Sequence, residues 1–397
     1  MDREMDFVDE YYADKDLSLL KKLTLVIPTY NRNYYLSRCL WYHAHFPFGQ
    51  IIVADSSPEE KKVVNRETVA KVREMFGADI LYLEYEPETD KYGGDIYRKW
   101  GDAVMHVETE YSLICIDKSF VNCAHILQKL EFLSLNKEYA SAQGVWYIIE
   151  RDNSGKYVTH YPRDYRPPSE INHDDAVSRY INSVGSTVGA SFNSFNNQLF
   201  SLFRTETHKH IYMPILNGNI KDIRYGEIAL SLLPLINGKH KYYPEHMDLI
   251  RDISMVETSN GRDKNQSSSL RYPYRSAYFD FGVLDEFYRG FEESIIIQFH
   301  QIGITDSDKE ICETTRKSYY DSVKHPGFNI IKIVYRKKWA FEIWNRIPFK
   351  LKQIIYQRLD YHFDTNKNVE NEFTSLIKEI LIQSPQNGED GSIVYLS

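Results

Sequence analysis

The first 117 residues alternate short apolar runs with helix-like stretches, and this alternation limits the fold more than any other feature of the chain. Leu23-Thr-Leu-Val-Ile27 is a nearly continuous apolar run. Such a run suits a parallel strand covered on both faces. Pro28 ends it, Asn31-Arg-Asn33 reads as a turn, and a helix is expected over 34–45. Gln50–Asp55 is a second strand, followed by Ser56-Ser57-Pro58 and a helix over 59–76. A third strand at 80–84 leads through Gly93-Gly94 to a helix over 95–107, and a fourth, Tyr111–Ile116, ends at Asp117. Strand–helix alternation with short connections implies a doubly wound α/β sheet. Ligands of such sheets sit at the carboxyl ends of the strands. Thr29 to Arg32, Asp55 and Asp117 therefore line one rim.

Beyond that block the organisation loosens. The stretch 150–225 reads as loops over the rim, with Asn182 to Asn197 rich in Ser, Asn and Gly. A helix is expected over 226–236 and a strand over 239–243. The polar run 258–269 marks a break, and mostly helical sequence follows it to about residue 378. The expected division is an extension at 1–20, an α/β domain at 21–255 and a helical region at 256–397. A net charge of −8 speaks against a nucleic-acid partner. Cys39, Cys115, Cys123 and Cys312 have no paired or zinc-like spacing and read as buried free thiols. With no apolar run long enough to span a bilayer and an acidic start without an apolar signal core, the expected location is the cytoplasm.

Val26-Ile-Pro-Thr-Tyr-Asn-Arg32 resembles the opening strand and loop of family 2 glycosyltransferases with the GT-A fold. Val53-Ala-Asp-Ser-Ser57 is similar to the second motif of that family, in which a strand-terminal Asp meets the nucleotide. Gly94 to Ala103 stands where the family has a basic, small-residue helix, and Tyr111 to Phe120 occupies the place of its DXD motif. Ala142-Gln-Gly144 and Tyr225-Gly-Glu-Ile-Ala-Leu230 resemble a subgroup from bacterial surface-polysaccharide loci. The resemblance implies a GT-A fold and transfer of a sugar from a nucleotide-sugar donor to a hydroxyl of a glycan or lipid-linked acceptor. It places Thr29, Tyr30, Arg32, Asp55, Asp95, Lys99, Asp102, Asp117 and Lys118 around the donor.

One departure matters for the chemistry. DXD carboxylates hold Mg²⁺ or Mn²⁺ against the diphosphate, but the triplet here is Asp117-Lys118-Ser119. Three readings are open. Asp117 binds the donor while Lys118 supplies the missing positive charge; Asp117 and His246 still hold an ion; or the site is degenerate. Imidazole suits softer ions than Mg²⁺, so metal dependence is expected to be weak. Inverting transfer also needs a base for the acceptor hydroxyl. Glu227, at a helix start in the YGE-like segment, is the expected base, with Asp222 as the alternative. Arg251 is expected to pair with a nearby acid, with phosphate contact as the other reading.

Two rival classes stand beside the enzyme. One is a catalytically silent GT-A-like module that binds glycan or scaffolds an assembly complex. The other, a nucleotidyltransferase, lacks a glycine-rich loop at the first strand. The segment 329–358 carries eight basic residues and one acid, Glu342, interleaved with Trp339, Phe341, Trp344 and Phe349. Basic charge with Trp and Phe on an amphipathic helix suits an anionic membrane surface, and a packed helical subdomain is the alternative. Glu206, His208 and His210 read as exposed polar surface, and Trp41, Trp100 and Trp146 as core in preference to sugar-stacking rings.

Overall fold

A computed structural model of the chain describes residues 6–91, 96–152, 154–161, 170–190, 198–220, 223–253, 281–324 and 369–383. The expected strands form. They are β1 (Leu23–Thr29), β2 (Gln50–Asp55), β3 (Ile80–Glu84) and β4 (Tyr111–Ile114), followed by β5 (Ser119–Val121), β6 (Tyr139–Arg151), β7 (Tyr157–His160), β8 (Leu202–Arg204) and β9 (Lys239–Asp252). Together they make one mixed sheet in the order β3-β2-β1-β4-β8-β6-β9-β5, with β7 added on β6. The first four strands are parallel and β6 runs parallel to β9, while β8 joins the two blocks by antiparallel pairing on both sides.

Helices cover both faces, as a doubly wound sheet requires. They are α1 (Asp6–Tyr12), α2 (Asn33–His43), α3 (Glu59–Phe76), α4 (Glu88–Lys91), α5 (Ile96–Met105), α6 (Cys123–Leu135), α7 (Ala176–Ala190), α8 (Thr205–Leu216), α9 (Ile223–Asn237), α10 (Phe281–Gln301), α11 (Asp308–Lys324) and α12 (Glu372–Gln383). Alternate residues of β1 serve opposite cores, as the two-residue period of a strand demands. Leu25 and Ile27 belong to the core that also holds residues of α1, α2, α3, α6 and α12, while Val26 belongs to the one with residues of α5 and α7 to α11. Every residue of β1 is buried, which explains its uninterrupted apolar character. The helical character expected after the α/β block holds for α10, α11 and α12, and these helices pack into the same two cores.

Three expectations give way. Residues 182–190, read as loop, lie in α7 despite their Ser and Gly. Tyr180 and Val184 stand four apart and are buried completely, so burial overrides weak helix propensity. His208 is not surface: it is buried in α8, its ring 4.5 Å from Phe203. The strand expected over 239–243 runs on to Asp252 through shifts of register against β6. Asp95, Asp222 and the basic segment 329–358 lie outside the described residues.

Candidate active site

At the end of β1 the chain turns through Asn31, whose φ of 55° lies in the left-handed region that Asn tolerates better than most residues. Its N–H donates to Ser57 Oγ at 2.8 Å, which ties the loop after β1 to the loop after β2. The turn delivers Arg32 to Asp117. Thr29 Oγ1 donates to Asp117 Oδ2 at 2.8 Å and Arg32 Nη1 to Oδ1 at 3.4 Å. Asp117 is wholly buried, and burial raises its pKa even against the pull of Arg32, Thr29 and Lys118. The half-exposed Lys118 follows it, and the Lys118 carbonyl accepts the Asp252 N–H at 2.8 Å.

Asp55 is also at the rim, but it is enclosed. Its Oδ1 accepts the Ser57 N–H at 2.7 Å, and its Oδ2 accepts Asn65 Nδ2 at 2.7 Å and the Tyr82 hydroxyl at 2.5 Å. Lys99 points inward from α5, donating to the Thr29 carbonyl at 3.1 Å, to Ser56 Oγ at 2.8 Å and to Asp90. Asp102 faces out and accepts the Tyr85 hydroxyl at 2.7 Å. Tyr30 is half-buried beside Asn31.

Glu227 stands where α9 packs on α5. The α5 helix leaves the rim after β3, so its first turn sits at the carboxyl ends of the strands. A Cβ on Gly226 would lie 2.7 Å from the Tyr97 ring in that turn, so the absence of a side chain lets α9 close on α5 there. Glu227, the next residue, is half-buried on the first turns of α9.

Arg251 is the residue that sequence reasoning underrated. Strand β5 pairs antiparallel with β9 and sets Ser119 opposite Arg251, two residues from Asp117. Arg251 does not pair with Asp252, whose carboxylate binds the buried Arg38 of α2. The Arg251 guanidinium lies 4.5 Å from the Trp146 ring and 4.9 Å from the Phe200 ring, and its Nε and Nη2 are buried without a hydrogen-bond partner. Burial, with Arg32 nearby, lowers its pKa to about 10. Trp146 is thus half-buried beside this cation, whereas Trp41 and Trp100 are core residues as expected.

His246 is not brought to Asp117. It stands five residues before Arg251 on β9, on the order of 16 Å along an extended strand. There it stacks between His125 and Tyr243, at 4.6 and 4.7 Å, and its Nδ1 accepts from Lys129 Nζ at 3.3 Å. Burial and Lys129 push its pKa down to about 4. Among the described residues, those around Asp117 fit a divalent cation poorly. Asp117 already serves Thr29 and Arg32, and the cationic Lys118 and Arg251 adjoin it.

Cys39, His43 and Cys115 do gather behind the rim, with potential ligand atoms within 4.8 Å of one another. His43 is satisfied by the backbone, however: Nδ1 donates to the Cys39 carbonyl at 2.8 Å and Nε2 accepts the Val121 N–H at 3.3 Å. Burial raises the Cys39 thiol, so these are core groups, in line with the expected free thiols. A pocket lined by Glu206, Lys209, His210, Met213 and Asn237 lies at the opposite, amino end of the sheet.

No family model matches the chain, and no curated protein sequence does. Among solved structures, S. aureus TarS is similar at 14% identity and a TM-score of 0.40, covering 79% of this chain. The chain spans 55% of the length of that TarS structure. TarS 1–349 in complex with UDP-GlcNAc is similar at 10% identity and a TM-score of 0.41, over 79% of this chain and 91% of that one. The mannosyltransferase PcManGT from Pyrobaculum calidifontis, in complex with GDP-Man and Mn²⁺, is similar at 11% identity and a TM-score of 0.39, over 95% and 91%. Likeness at this level assigns no chemistry to the chain.

Proposed function

We propose that the chain is a glycosyltransferase of the GT-A type that moves a sugar from a nucleotide-sugar donor to a hydroxyl of a glycan or lipid-linked acceptor, with inversion. The observation that carries the reading is Asp117, buried at the carboxyl rim and held by Thr29 at the end of β1 and by Arg32 in the turn after it. Open α/β sheets take their ligands at this rim, and the β1 loop that builds it is the most specific part of the sequence resemblance. Asp117 would orient the donor. Glu227 would take the acceptor proton as its oxygen bonds to the anomeric carbon, while the C–O bond to the diphosphate breaks and the diphosphate leaves with the electron pair. Asp222 is the alternative base. A bacterial surface glycan is the acceptor class that the sequence resemblance favours, and segment 329–358 would hold the enzyme at an anionic membrane surface.

Glu227→Gln tests the reading, with turnover and donor affinity measured together. Turnover should fall at least about a hundredfold with donor affinity unchanged, because a base acts in the transition state. Wild-type protein that binds a glycan but neither transfers nor hydrolyses any nucleotide sugar would instead be the silent module. The Asp117-Lys118-Ser119 triplet favours that second reading. EDTA should leave most of the transfer intact; loss of transfer that Mn²⁺ restores would overturn the weak metal dependence.

A further inference from the structure

A buried guanidinium normally finds acceptors for its N–H groups, because leaving them unpaired costs free energy. Arg251 breaks this rule at Nε and Nη2. Its side chain is nevertheless fixed, since the Trp146 and Phe200 rings lie against it at 4.5 and 4.9 Å. Trp146 pairs with Leu249 across the β6–β9 ladder, so Arg251 is its diagonal neighbour, within reach of a long side chain. Among the described residues, the two acids beside it are already engaged: Asp252 binds Arg38, and Asp117 takes Thr29 and Arg32. Arg32, in the turn after β1, bonds this buried carboxylate, Arg251 on β9 stands opposite Ser119 two residues beyond it, and Arg32 keeps 32% of its side chain exposed. A planar guanidinium fixed against two rings, with buried N–H groups that no protein acceptor takes, is suited to a phosphate, whose oxygens accept two parallel hydrogen bonds.

We propose that Arg251, fixed by Trp146 and Phe200 and assisted by Arg32, forms a metal-free phosphate-binding subsite at the carboxyl rim. This deepens the donor reading, in which that phosphate is the diphosphate of the nucleotide sugar. The same chemistry would receive a phosphate carried by the acceptor, so the test separates the two sources. The positive charge that a bridging cation would bring to a departing diphosphate then comes from two arginines, one in the turn after β1 and one on β9.

The experiment is calorimetric titration in EDTA of wild type, Arg251→Gln and Arg251→Lys. The titrants are inorganic pyrophosphate, then UDP and GDP against uridine and guanosine. Wild type should bind pyrophosphate, Arg251→Gln should lose about tenfold or more in affinity, and Arg251→Lys should fall between. Melting temperature monitors the fold, and the Lys variant, which keeps the charge, covers the case in which Gln fails to fold. If a nucleoside diphosphate outbinds its nucleoside only while Arg251 is present, the phosphate belongs to the donor. If pyrophosphate binding depends on Arg251 but neither diphosphate outbinds its nucleoside, the subsite stands, the phosphate belongs to the acceptor and the donor reading fails. Equal pyrophosphate affinity in all three proteins, or none in wild type, overturns the subsite. Nucleotide binding that then requires Mn²⁺ would leave the donor reading standing without it.

Discussion

Asp55 accepts three hydrogen bonds and shows no surface to solvent, so its first task is to hold the loop after β2 in place. Asp55→Ala should cost about 3 kcal/mol by urea denaturation, since it strands several buried donors. Tyr82→Phe removes one donor from a carboxylate that keeps two, so it should cost about 1 kcal/mol and leave nucleotide affinity unchanged. A Tyr82→Phe protein that loses nucleotide affinity would tie the hydroxyl to the ligand directly. Arg38 and Asp252 make the same point with charges. Arg38→Met should destabilise by about 3–5 kcal/mol because it leaves Asp252 buried and unpaired, whereas Arg38→Met with Asp252→Leu should recover most of that loss. If the double variant is as unstable as the single one, the pair is not what the site senses. This pair also explains why Arg251 was hard to read. Adjacent residues in a strand point to opposite faces, so Arg251 and Asp252 cannot share a partner, and the acid beside Arg251 in sequence is bonded to a helix 214 residues away.

Strands β1 to β4 were legible because parallel strands covered on both faces leave continuous apolar runs, and the observed bounds of β2 and β3 agree with those expected. The long β6–β9 ladder was not. Pro244, Glu245 and His246 interrupt the alternation of β9, and the register shifts on either side of Val145 absorb the interruption. Gly144 sits at that irregularity. A Cβ there would lie 2.3 Å from the His246 carbonyl oxygen and 2.4 Å from Asp248 Oδ1. Gly144→Ala must therefore move backbone and should cost about 3 kcal/mol in stability, read from the denaturation midpoint. A neutral Gly144→Ala would mean that the two strands part more easily than their packing suggests. Gly226 differs in kind, because what blocks a side chain there is the Tyr97 ring, which can turn aside. The YGE-like segment of the sequence was visible, but its glycine proves to be the contact that lets α9 approach α5.

Two buried histidines, one in α8 and one in β9, contribute to the acid tolerance of the molecule. Burial lowers both His208 and His240 from the ordinary histidine value of 6.5 to about 3. In each case the folded pKa lies below the unfolded one, so the unfolded chain takes up protons first. Stability is then complete above about pH 6.5 and falls as the pH drops towards the folded value. The loss at pH 5 should be about 2 kcal/mol for each histidine. Denaturation midpoints at pH 7 and pH 5 would show it, and His208→Gln should flatten the dependence; an unchanged midpoint would mean that neither imidazole resists protonation. The sheet that these residues brace is two parallel blocks joined through Leu202–Arg204, three residues that pair with β4 on one side and β6 on the other. Thr29, Arg32 and Asp117 belong to the first block, whereas Trp146 and Arg251 belong to the second. A phosphate gripped by both arginines would act as a rivet between the two blocks. Amide deuterium uptake at Arg204, which pairs with Tyr111 at the amino end of β4, should therefore slow when pyrophosphate binds.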